Sequence, residues 1–120
     1  MKQIMSNELP ALEGSAKQIA WAQDIIDKAI RYCDEKIAYC DKWSVNDDCK
    51  VYGKIWRLVR AWAVTNFETM DSAARIIDSR SHFSNNVLDT NAYKIFGLLS
   101  NGDTLTQIAE RSGIKNYKEA

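Results

Sequence analysis

Apolar residues recur at steps of three and four along most of the chain. Ile19, Ala22, Ile26, Ala29, Cys33, Ile37 and Cys40 mark one face of a helix held for about six turns. Trp21, Ile25 and Tyr32 widen that face, which predicts contact with more than one neighbour. Ser15, followed three residues later by Gln18, is a capping box that opens the helix. The pattern breaks over residues 41–48, where Asp, Asn and Ser cluster as turns prefer, and Asp47 or Asp48 is placed to cap the next helix.

A second stripe runs through Val51, Ile55, Leu58, Val59, Trp62, Ala63 and Val64, and on through Phe67, Met70, Ala74 and Ile77. Either one helix runs to about Ser79 or it breaks near Thr65-Asn66, and the first is favoured because the steps cross that point without a phase slip. Residues 81–86 read as a polar connector. Asp89 or Thr90 is placed to cap a third helix holding Tyr93, Phe96, Leu98 and Leu99, with Gly97 weakening it by about 1 kcal/mol relative to Ala. Asn101-Gly102 is a stop signal, and Thr104 with Gln107 is a second capping box that opens a short helix through Arg111, ended by Gly113.

These lengths predict an all-α fold: a long antiparallel helical hairpin (residues 15–80) covered by two short C-terminal helices (residues 88–114). Residues 1–14 read as a tail, punctuated by Pro10 and Gly14, from which Leu9 or Leu12 is able to dock. The 120 residues suit one domain, 15–120, behind that tail. One proline and five glycines leave long helices uninterrupted. Sixteen basic residues balance sixteen acidic ones, which supports neither a strongly basic nucleic-acid binder nor an acidic mimic of nucleic acid.

Three cysteines, an odd count, with no apolar stretch of signal length at the N-terminus, point to a reducing compartment, the cytoplasm. No run approaches about 20 apolar residues, so no membrane span is expected. Cys33, Cys40, Cys49 and the single His82 are the only zinc-ligand set on offer, and their gaps of seven, nine and thirty-three positions are far from the usual two to four. Cys33 and Cys40 lie on the apolar stripe and read as core. Nothing places His82 beside a thiol as a base. Asp24, Asp27, Asp34, Glu35 and Asp41 read as a solvated helix face. There is no Gly-rich phosphate loop and no metalloprotease His pair. The sequence therefore predicts no enzyme, no metal and no cofactor.

Binding features are more promising. Lys50, Lys54 and Arg57 share a helical face, with Arg60 nearby and Trp56 adjoining, a pattern that tracks a phosphate backbone or simply forms a solvated stripe. Of four tryptophans, Trp62 reads as core, whereas Trp43 in the link and Trp56 among cations read as exposed anchors or as caps on the ends of the core. Residues 105–114 resemble the centre of a helix-turn-helix, with Ala109 small at a helix crossing, Gly113 at the turn and Ile114 packing back. The charged Glu119 stands where a reading helix needs an apolar residue, which favours a lid over a DNA reader.

Leu9-Pro10-Ala11-Leu12-Glu13-Gly14-Ser15 followed by Lys17-Gln18-Ile19-Ala20-Trp21-Ala22 resembles the start of small uncharacterised proteins of phages and mobile elements. Ala74-Arg75-Ile76-Ile77-Asp78-Ser79-Arg80 is similar to their second block, Ile-Asp-x-Arg. Ile26 and Ile76 stand where those proteins tend to have Arg and Trp. The resemblance implies a setting in a bacterial virus or integrated element, where small proteins often bind host machinery, including defence systems such as CRISPR nucleases. The expected function is a non-catalytic module that binds a host protein through Trp43, Trp56, Lys50, Lys54, Arg57 and Arg60. The second expectation is a nucleic-acid-binding or regulatory protein using the basic face and the C-terminal helix pair. A homo-oligomer is compatible with either.

Overall fold

The structure is a computed structural model that describes residues 12–114 and 117. Of these, 79% are helical and none lies in a strand, which establishes the all-α class. Helix α1 spans Ala16–Lys42 and α2 spans Asp47–Glu68, and they pack as the expected hairpin. A short α3 (Ala73–Asp78) lies against α1. A 3-10 turn at Arg80–Phe83 leads into α4 (Asn85–Ser100) and then α5 (Leu105–Arg111). Both α4 and α5 pack on α2, which is thus the central helix. Its wide buried face, with Ile55, Trp56, Leu58, Val59, Ala63, Val64 and Phe67, follows from having neighbours on two sides.

Both capping boxes form. Ser15 Oγ accepts from the Gln18 backbone N–H at 3.2 Å while Gln18 Oε1 accepts from the Ser15 N–H at 3.1 Å. Thr104 and Gln107 repeat the exchange at 3.1 and 2.9 Å. Helices α4 and α5 both end in Schellman motifs. Asp103 N–H donates to the Leu98 carbonyl, Ile114 N–H to the Ala109 carbonyl, and Gly102 (φ 101°) and Gly113 (φ 67°) supply the left-handed residue. Two helix starts differ from expectation. Asn46, not Asp47 or Asp48, caps α2, its side chain accepting from Asp48 and Cys49 N–H groups. Ser84 caps α4, five residues before Asp89 and six before Thr90, the two caps expected, and Asp89 instead accepts from the Tyr32 hydroxyl at 2.7 Å.

The single helix expected to run to Ser79 is two helices. Asn66 Nδ2 donates to the Trp62 carbonyl and Thr69 Oγ1 to the Asn66 carbonyl, so side chains compete for the acceptors of the ladder. The last turn tightens, with Met70 N–H on the Phe67 carbonyl. Beyond it Glu13 pairs across the gap: its N–H donates to the Asp71 carbonyl at 2.8 Å, and its carbonyl accepts from Ala73 N–H at 2.9 Å. The interruption advances the buried phase by one position. Ala73, Ile76 and Ile77 are buried and Ala74 is exposed. Residues 12–14 are therefore docked, with Leu12 against the core and Gly14 turning the chain into α1 where a Cβ would meet Ala73 at 3.2 Å. Leu9 and Pro10 lie outside the described residues.

Asp34, expected on a solvated face, is buried at 3% exposure. It sits within the apolar stripe of α1, and its Oδ1 accepts from Arg60 Nε of α2 at 2.7 Å. A second rung joins Arg57 Nη2 to Asp41 Oδ2 at 2.8 Å. Removing Arg60 leaves the buried Asp34 carboxylate uncompensated, so Arg60→Ala is expected to cost about 3–5 kcal/mol, whereas Asp34→Leu with Arg60→Met should stay within roughly 1 kcal/mol of the parent or exceed it. Urea melts of the three proteins check this, and a mild single variant would show that the pair does not carry the seam. Gly97 lies mid-helix with open space where a Cβ would be, so Gly97→Ala should raise stability by about 1 kcal/mol in the same assay.

Candidate functional site

The residues expected to bind a partner divide into two groups. Arg60 and Arg57 are bound to Asp34 and Asp41 and hold the hairpin together. Trp56 is 6% exposed, its ring edge-on to Tyr32 with centroids 5.8 Å apart, so it is a core residue and not an exposed anchor. The reason is the width of the α2 face, which buries position 56 between α1 and α4. Trp62, expected in the core, is only half-buried, tilted against Phe83 at 5.4 Å.

Trp43, Lys50 and Lys54 remain on the surface, and the structure brings them together at the hairpin tip. The link between α1 and α2 is only four residues long, 43–46, so the last turn of α1 and the first turns of α2 face one cleft. That cleft has a volume of about 270 Å³ and is lined by Cys40, Ser44, Cys49, Lys50, Lys54 and Arg57 among others. Beside it Tyr39 is 61% exposed, Trp43 48% and Val45 91%. The Tyr39 and Trp43 rings lean together at 6.5 Å, and Lys42 Nζ lies 5.6 Å from the Trp43 ring centroid. Tyr39 and Val45 were not singled out by sequence. Tyr39 was legible as an aromatic off the apolar stripe of α1, and Val45 as a β-branched residue in a turn.

Among the described residues Lys50 and Lys54 make no ion pair, and no group of three or more His, Cys, Asp or Glu is arranged to hold a metal. His82 lies in the 3-10 turn, on a different element from the thiols. All three cysteines are free. Burial pushes the Cys33 thiol from 9.0 up to about 12, with Asp34 adding to the effect, and burial raises Cys40 too, helped by Cys49 and Asp41. Such thiols are poor nucleophiles at neutral pH. Tyr32 is raised from 10.0 to about 12 by burial and by its bond to Asp89.

Trp21 of α1 and Arg80 after α3 meet in space. Arg80 Cζ lies 5.2 Å from the Trp21 ring centroid and its Nη1 donates to the Ile77 carbonyl at 2.7 Å. Leu12, Gly14, Ser15 and Gln18 dock and cap α1, so these residues act on the fold. The helix-turn-helix-like segment forms as α4, α5 and the Gly113 turn, with Leu105, Ile108 and Ala109 buried. Glu119 and the place of a reading helix lie outside the described residues. No helix among the described residues is long and apolar enough to cross a membrane. Comparison of the chain with protein-family models, with curated proteins and with solved structures gives no match.

Two predictions follow from burial. Trp56→Ala should cost about 3–5 kcal/mol and Trp43→Ala roughly 1 kcal/mol or less, read from urea melts. Cys33 and Tyr32 hold their protons to higher pH in the fold than in the unfolded chain. Their contribution is therefore complete below about pH 9 and is lost as pH rises toward about 12. Denaturation midpoints between pH 8 and pH 11 should fall with rising pH, and Cys33→Ala should flatten that fall.

Proposed function

We propose that the protein is a non-catalytic binding module that docks on another protein through the tip of its helical hairpin. The observation that carries this reading is the exposed group Tyr39, Trp43 and Val45, set beside Lys50 and Lys54. The link does not require those residues. Trp43 has φ −106° and Asn46 φ −87°, values open to any side chain, and turns in water favour Gly, Asn, Asp and Ser. Tyr and Trp are enriched at the anchors of protein interfaces, where a rigid ring buries much area for few rotatable bonds. The two lysines at the rim suit a partner with an acidic edge. The phage-like resemblance supports a host protein, such as a component of a defence system, as that partner.

Binding to nucleic acid is the competing reading. Its support is the same pair of lysines with Trp43 and Tyr39 available for stacking. It is weakened because Arg57 and Arg60, half of the expected phosphate-contacting set, are bound within the hairpin.

Affinity capture from a bacterial lysate with the parent protein and with Tyr39→Ser/Trp43→Ser tests the proposal. A protein retained by the parent and by a control carrying Trp21→Ser, about 27 Å from Tyr39 along α1, but lost with the tip variant, is the expected result. A capture profile indifferent to the tip variant would remove the tip as the interface. Tight duplex-DNA binding near 0.15 M salt that weakens steeply as salt rises, and is abolished by Lys50→Glu/Lys54→Glu, would replace the proposal with the nucleic-acid reading.

A further inference from the structure

A groove separate in its lining from the tip cleft lies between α2 and α4. It consists of two cavities, of about 180 and 390 Å³, which share Trp62 and Asn91. The smaller one is apolar. Val59, Trp62, Ile95 and Ile108 form its floor, and Leu98 and Ile114 flank it where α5 turns back. Leu98 is exposed and Ile95 and Ile114 are only half-buried, so this cavity opens to solvent.

Its polar side chains are Asn91, Lys94 and Ser112, and Lys94 is the one charge among them. Asn91 and Lys94 stand three residues apart on α4 and so share a face. Among the described residues neither side chain has a hydrogen-bond or ion-pair partner. No Asp or Glu lines either cavity, although the chain carries sixteen acidic residues. The groove therefore offers donors and one positive charge beside an apolar space that opens to solvent. A cavity of about 150 Å³ lined by Leu, Ile and Phe stays dry and takes up benzene, so the smaller cavity suits one phenyl ring or its aliphatic equivalent.

We propose that this groove binds a small monocarboxylate whose ring or branched chain fills the apolar cavity. Its carboxylate meets the Lys94 ammonium in a charge-assisted hydrogen bond and accepts from the Asn91 amide. The apolar part reports on Trp62, whose ring forms the wall between the two cavities. This site is independent of the hairpin tip and of the function proposed for it.

The test is a titration of the full chain with phenylacetate and with its neutral counterpart 2-phenylethanol, followed by the NMR resonance of the Trp62 indole N–H. Trp62→Phe assigns that resonance. Phenylacetate is expected to give a saturable shift and to bind about ten-fold more tightly than the alcohol at low salt. Lys94→Gln should close that gap while leaving the alcohol unchanged. Leu98→Trp, a substitution at an exposed position that fills the cavity, should abolish both, and circular dichroism confirms that this variant is folded. Shifts that rise linearly without saturating would overturn the proposal. So would binding that survives in folded Leu98→Trp, or a preference for the acid that persists in Lys94→Gln.

Discussion

Burying the Asp34 carboxylate commits α1 and α2 to one register. The acid sits among Ile30, Cys33 and Ile37, where an unpaired charge is costly, and Arg60 is the cation that reaches it. A slip of one helical turn, about 5.4 Å, would break that contact and leave the charge in the core. The same register sets Arg57 on Asp41 and brings Gly53 of α2 against Cys40, where an added Cβ would stand 3.4 Å from the cysteine Cβ. It also fixes where the hairpin turns. Residues 43–46 close the tip, and the side chains of Tyr39, Trp43 and Val45 are presented there because α1 can neither be longer nor shift. The candidate binding surface is thus a consequence of one ion pair two turns below it.

Periodicity carried most of the fold because the long helices bury simple stripes. The capping boxes at Ser15 and Thr104, the stops at Gly102 and Gly113, and the hairpin itself were all legible from local chemistry. The break after Glu68 was legible only in part. Thr65-Asn66 is a weak point by residue type, and Asn66 and Thr69 do take acceptors of the ladder, but the apolar steps cross it without a gap. The pairing of Glu13 with Asp71 and Ala73, which holds the chain beyond the break, lies far off in the sequence. The early start of α4 was missed for a smaller reason, since Ser84 is one of several polar residues in a row that could cap a helix.

The candidate site was half legible. Trp43 and Trp56 were each open between anchor and core cap, and Trp43 is exposed while Trp56 is buried; Trp62, expected in the core, is only half-buried. A helical stripe gives the direction of the core but not its width, and α2 turned out to be packed on two sides. Burial therefore reaches Trp56, and Trp62 falls at the edge, where it walls the groove below α4. Asp34 was the more avoidable error. It stands four residues after Ile30 and three before Ile37, which places it on the buried face by the same count that placed Cys33 there. An acidic residue on an apolar stripe is a signal to look for its cation on the facing helix.

Side-chain chemistry sorts the four cations of α2 further. Arginine carries a planar fork that suits buried and bridging pairs, and lysine a strongly hydrated ammonium that suits water. Arg57 and Arg60 follow that division by closing the two rungs of the hairpin, and Lys50 and Lys54 follow it by standing at the rim of the tip. The charges that define the seam are thus different from the charges available to a partner, even though all four lie along one stretch of a single helix. Substituting the lysines leaves the register intact, because nothing in the seam depends on them. The chemistry at the tip can therefore vary without redesigning the interaction that positions it.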